Sequence, residues 1–203
     1  MPKAVFEDNS FSIPDDYFRA QSLPDDPPNS IVFEKDTDAA ANILMLFFID
    51  KAEAMPFGDE KAVIDTLHDL LSDEQGLIEV KSGTASSGTP FIYSVVKAHR
   101  QPSGMQYILT LQLDLGAEVL NLQGYFTEEN VTGERDAAIW EYAMREKIIS
   151  TEDQSNWFAD PYDPGFQRGI LMNLSERAQF DQAFPEHPLS ELRRLVRFFT
   201  SEN

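Results

Sequence analysis

The sequence predicts an α+β protein: an antiparallel β-sheet meander flanked by helices, with a docked C-terminal extension. Three observations lead there. Tyr107, Leu109, Leu111, Leu113 and Leu115 share one face and Gln112 and Asp114 the other, the period-two pattern of a half-buried strand. The runs Phe91–His99 and Val119–Phe126 repeat that alternation across short connections, which join antiparallel rather than parallel neighbours. By contrast, Val63, Ile64, Leu67, Leu70 and Leu71 recur at helical spacing.

Taken in order, residues 1–30 are extended and turn-rich, interrupted by Pro14-Asp15-Asp16, Pro24-Asp25-Asp26 and Pro27-Pro28. Phe11-Ser12-Ile13 reads as a short edge strand, where the following proline does least harm. Ile31–Glu34 and Asn42–Asp50 read as strands. The second is apolar on both faces, the pattern of a central strand covered on both sides. Gly58-Asp59 offers a cap for the first helix and Gly76 a stop. Leu77–Lys81 is the next strand, followed by the loop SGTASSGTP, and Gln101-Pro102-Ser103-Gly104 is a turn within the meander. A second helix runs from about Thr132 to Ile149, with Glu134 and Asp136 early and Arg145 and Lys147 late, matching its macrodipole. Beyond Ser150 the chain becomes rich in Pro, Gly and aromatics. A last helix, about Leu189 to Thr200, sets Leu192, Val196 and Phe199 against Arg193, Arg194 and Arg197. The expected organisation is a domain over 1–150 and an extension over 151–203.

This order of elements resembles the PsbP-like fold over about residues 5–150. The resemblance is carried by FSIPDDYF, by NILMLFFID leading into AVIDTLHDLL, by the meander FIYSVVKAHR, MQYILTLQLDL and VLNLQGYFTEEN, and by the closing RDAAIWEYAMREKII. The fold is shared by an extrinsic photosystem II subunit, a nuclear import factor that binds the GTPase Ran, and small bacterial domains. Its members are binding and assembly proteins, and some bacterial ones resemble chaperones for secreted effectors. The resemblance therefore implies a binding role. It carries over no site residue, and residues 151–203 lie outside it.

Composition narrows the partners. Sixteen Lys and Arg against thirty-five Asp and Glu leave a net charge of −19, a field that repels nucleic acid and anionic lipid and favours a basic partner protein. The chain has no cysteine, which excludes disulfides and thiol chemistry. Its longest apolar run, Ile43–Ile49, is too short to span a bilayer, and the N-terminus lacks the pattern of a secretory leader, so a cytoplasmic location is expected.

No catalytic, metal or cofactor set is expected. His68, His99 and His187 stand far apart, SGTASSGTP lacks the Lys-Ser/Thr ending of a phosphate loop, and Asp160 and Asp163 read as Asp-Pro turns rather than ligands. The tail is the richer stretch. Trp157, Tyr162 and Phe166, with Arg193, Arg194 and Arg197 of the last helix, are the candidate partner-binding residues, aromatics and Arg being common interface anchors. The expected function is a non-enzymatic protein-binding or chaperone-like adaptor. The alternative is a small-molecule-binding protein or an enzyme with a cleft between sheet and tail. An exposed apolar patch bordered by acids favours the first; convergent buried carboxylates in a closed pocket favour the second.

Overall fold

A computed structural model describes residues 1–6, 9–101, 103–130 and 132–202. The chain opens with a hairpin of its own, β1 (Lys3–Phe6) and β2 (Asn9–Ser12), in which Phe11 faces Ala4. Then follow β3 (Phe18–Arg19), β4 (Ile31–Asp36), β5 (Ala40–Ile49), α1 (Glu60–Leu70), β6 (Gln75–Thr84), β7 (Pro90–His99), β8 (Met105–Asp114), β9 (Val119–Glu128) and α2 (Glu134–Arg145). The tail holds a second small hairpin, β10 (Phe158–Ala159) with β11 (Met172–Asn173), two 3-10 turns, and α3 (Pro188–Glu202). Seven strands form one antiparallel sheet in the order β3-β4-β5-β9-β8-β7-β6. The predicted meander is its right half, and β9 folds back to pair with β5 along the full length of both. Pro102, in the predicted turn between β7 and β8, lies outside the described residues.

The alternation read from the sequence sets the two faces. Across the first, Leu111 lies opposite Tyr93 and Leu122, and Leu109 opposite Val95 and Gly124. These residues join Phe33, Leu44, Leu46 and Phe126 in the main core. The lid on that core is α3, through Leu189, Leu192, Leu195, Val196 and Phe199. Their spacing presents one continuous apolar stripe, so the last helix shares the core of the strands rather than lying on its surface. A separate cluster under α2 gathers Ile139, Ala143, Ile149, Trp157 and Leu174.

On the second face, α1 covers β6 and β7. Val63, Ile64 and Leu67 pack there on Leu77, Val80, Ile92 and Val96. As predicted, Asp59 caps the helix, its carboxylate accepting the Ala62 N–H. Two boundaries differ from the sequence reading. The second helix ends at Arg145, with Lys147 at a φ of 58°. And Gly76 does not stop α1: it sits inside β6, where a Cβ would fall 1.7 Å from the Ile170 carbonyl oxygen. It is the smallness of that glycine that lets the tail approach, so that the Ile170 N–H reaches the Gln75 carbonyl at 2.8 Å.

Candidate protein-binding surface

The tail residues singled out in the sequence occupy different settings. Trp157 is buried edge-on against Trp140 with ring centroids 4.8 Å apart. Phe166 stacks on His68 at 4.0 Å, while the His68 ring pairs with Asp160 at 3.0 Å. Tyr162 keeps part of its ring in water and turns its hydroxyl onto the backbone of Val80. Arg194 bonds Glu191 at 2.6 Å and Asp16 at 3.0 Å, and Arg197 is exposed.

Arg193 departs from the sequence reading. Helical periodicity sets it with Arg194 and Arg197 away from Leu192; instead it is buried. The physical reason is local charge. Its guanidinium reaches Glu79 and Asp181, each at 3.0 Å, and the Glu176 carbonyl at 2.9 Å, so the cation is neutralised and hydrogen-bonded where it enters low dielectric.

The same network fills the space between sheet and tail. Lys97 donates to Glu176 at 2.7 Å, both side chains 1% exposed, and the Tyr107 hydroxyl donates to the other oxygen of Glu176. Arg135 bonds Asp181, Ser190 and the Ser175 carbonyl, and the Tyr93 hydroxyl donates to Glu79 at 2.8 Å. Burial by itself raises the Glu79 pKa, but its bond from Lys81, the Arg193 charge and the Tyr93 hydroxyl outweigh that and hold it below the usual carboxylate range. Burial, then the adjacent carboxylates, push the Tyr93 and Tyr107 hydroxyls the other way. The convergent carboxylates are therefore spent on cations that tie the tail to the sheet.

The second face of the sheet is another matter. Beyond α1, cross-strand register lines up Phe18, Glu34, Ile43, Tyr125 and Ile108 across β3, β4, β5, β9 and β8. The next row is Val32, Met45, Gln123 and Thr110. Phe18 is 69% exposed and Ile43 46%, with Met45, Phe47, Tyr125 and Ile108 half-buried. Side-chain ladders hold the polar rows: Gln106 to Thr127 at 3.0 Å, Thr110 to Gln123 at 3.1 Å and Gln112 to Asn121 at 3.0 Å. Among the described residues of these strands no Lys or Arg points to this face, while Glu34 and Asp36 are exposed on β4, Glu34 between Phe18 and Ile43. The expectation that β5 is covered on both sides is thus corrected. Its Leu44 and Leu46 face is closed, and its Ile43, Met45 and Phe47 face is only partly so. Sequence reasoning missed this surface, although its signal was present as the doubly apolar run of β5.

No family model matches the sequence, and the search of curated proteins found no match. Among solved structures the chain is similar to the Saccharomyces cerevisiae Ran-binding protein Mog1p, at 11% identity and TM-score 0.43 over 65% of this chain and 77% of that one. A mutant of protein Mog1 gives 12% and 0.44 over 70% and 84%. The protein of unknown function PA94 from Pseudomonas aeruginosa gives 14% and 0.34 over 71% and 94%. At TM-scores below 0.5 these likenesses decide neither family nor partner. No helix among the described residues is long and apolar enough to cross a membrane.

Proposed function

We propose that this chain is a non-enzymatic, chaperone-like or adaptor protein that binds another protein on the open face of its sheet. The observation that carries the reading is the row Phe18, Glu34, Ile43, Tyr125 and Ile108, in which four apolar side chains and one carboxylate are held by five hydrogen-bonded strands and left in partial contact with water. A rigid scaffold loses little entropy on docking, and aromatic anchors within such a patch supply most of the binding energy. Glu34 and Asp36 on β4, in a chain of net charge −19, favour a basic partner and oppose nucleic acid. The partner is sought in the cytoplasm.

The test is comparative capture from the native cell, using the whole chain and a Phe18→Ser, Ile43→Asp double variant whose melting curve matches it. A protein retained by the first and lost by the second supports the reading. Identical co-purifying proteins from both would remove it.

A further inference from the structure

Resting on that reading, we infer that the segment of the partner that docks is a basic amphipathic α-helix, taking the vacant position beside α1 in the helix layer of the second face. On that face α1 already shows how a helix is received: Val63 and Leu67 lie against Val80 and Val96, one turn apart on one stripe. The layer stops there. Strands β8, β9, β5 and β4, at about 4.8 Å each, form a strip about 15–20 Å wide, room for one or two helices about 10 Å across. Its open part is Ile43, Met45, Tyr125 and Ile108, while Val32 is buried and the Met55 N–H bonds Gln112 at its far end.

Backbone chemistry selects a helix over an extended peptide. Strands β8, β9 and β5 are hydrogen-bonded to a neighbour on both sides, and β4 to β5 along its length and to the short β3 at Phe33 and Glu34, so the face of the strip itself offers no free N–H or C=O groups to a new strand. Side-chain burial is all it provides, and a helix brings that with its own backbone satisfied. Charge selects the sign. The strip carries Glu34 and Asp36 at its border and no cation from its own strands among the described residues. A second copy of this chain would bring the same carboxylates and another net −19 against them, so self-association on this face is opposed.

The probes are synthetic peptides of about four helical turns: a Leu/Lys helix with one leucine stripe, a scrambled Leu/Lys peptide of equal charge without the stripe, and an alternating Leu/Lys peptide that favours extended structure. Binding is read by fluorescence anisotropy on the whole chain, and the site by NMR shifts. The striped helix should bind at least about tenfold more tightly than either control, with shifts at Ile43, Ile108 and Tyr125, and Ile43→Asp should abolish that difference. Equal binding of the scrambled peptide, preference for the alternating peptide, or shifts confined to other surfaces would each overturn the helix. So would self-association at high concentration mapped to the same residues. If no peptide binds but capture of a cellular partner still depends on Ile43, the helix fails and the protein-binding reading stands. If that capture is also indifferent to Ile43, both fail.

Discussion

The Tyr162 hydroxyl accepts the Val80 N–H at 2.5 Å and donates to the Val80 carbonyl at 3.1 Å, satisfying the free edge of β6 as a neighbouring strand would. Glu60 takes the Ser82 N–H on the same edge at 2.7 Å, and the Gln75 carbonyl accepts from Ile170. An unprotected ten-residue edge strand is a template for pairing with other chains, and these contacts block it. Tyr162→Phe removes both Val80 bonds and should cost about 1–3 kcal/mol. The Val80 amide should exchange faster, and the variant should associate at high concentration. Unchanged exchange at Val80 would show that the hydroxyl does not guard the edge.

Arg193 gives a sharper contrast with its own helix. Arg193→Met leaves Glu79 and Asp181 buried with their shared cation gone, and breaking a buried pair in that way costs about 3–5 kcal/mol. Arg197→Met, four residues on and exposed, should stay within about 0.5 kcal/mol. Chemical denaturation of the two variants checks this. Equal small losses would mean that the network between sheet and tail contributes little.

That pair also shows where the sequence was legible and where it was not. The alternation from Tyr107 to Leu113 gave both the strands and the face that forms the core, because period two is a local property of the chain. The helical stripe of Leu192, Val196 and Phe199 was equally plain. The depth of Arg193 was not, since it depends on Glu79 and Asp181, which lie far off in sequence and meet it only in the fold. Gly76 misled for the same reason. A glycine near a helix end usually closes it, and only the arrival of Ile170 from the tail shows why this one is needed inside a strand. The open face was half legible: the composition of β5 announced two apolar faces, but which of them finds a cover is a tertiary fact.

Acid and alkali should act on separate groups. Burial tends to raise the Glu191 pKa, but the bonds and charges of Arg194 and Lys35 prevail and hold it, like Glu79, below the ordinary 4.5. In that window the unfolded chain binds more protons than the folded one, so stability rises with pH. This contribution is complete above about pH 4.5 and is lost as pH falls through the lowered folded values. Tyr17 and Tyr93 run the opposite way: burial, then Glu191 and Glu79 respectively, raise them above the ordinary 10.0. Their contribution is present below pH 10 and lost as pH climbs through the raised values. Melting temperatures across pH should therefore fall at both ends. The deficit of Glu191→Gln should shrink in acid, where the native carboxyl is itself protonated. A deficit constant down to pH 3 would show that Glu191 is not the group responsible.

Ile43 and Leu44 are adjacent in β5 and test the two faces directly. Leu44 is fully buried in the main core beside Phe33 and Leu46, whereas Ile43 is 46% exposed in the row with Phe18 and Tyr125. Leu44→Ala removes buried methyl groups and leaves a cavity, at about 2–5 kcal/mol. Ile43→Thr keeps the β-branched shape that suits a strand while reducing apolar area that water already reaches, so it should change stability by less than about 1 kcal/mol. The same Ile43→Thr change should weaken capture of the partner, because it removes an anchor from the docking surface rather than from the core. Urea denaturation measures the first effect and comparative capture the second. Should Ile43→Thr destabilise as much as Leu44→Ala, the second face belongs to the core and offers no surface for a partner. Should it leave both stability and capture untouched, Ile43 is an exposed side chain without a task, and the docking surface must lie elsewhere on the molecule.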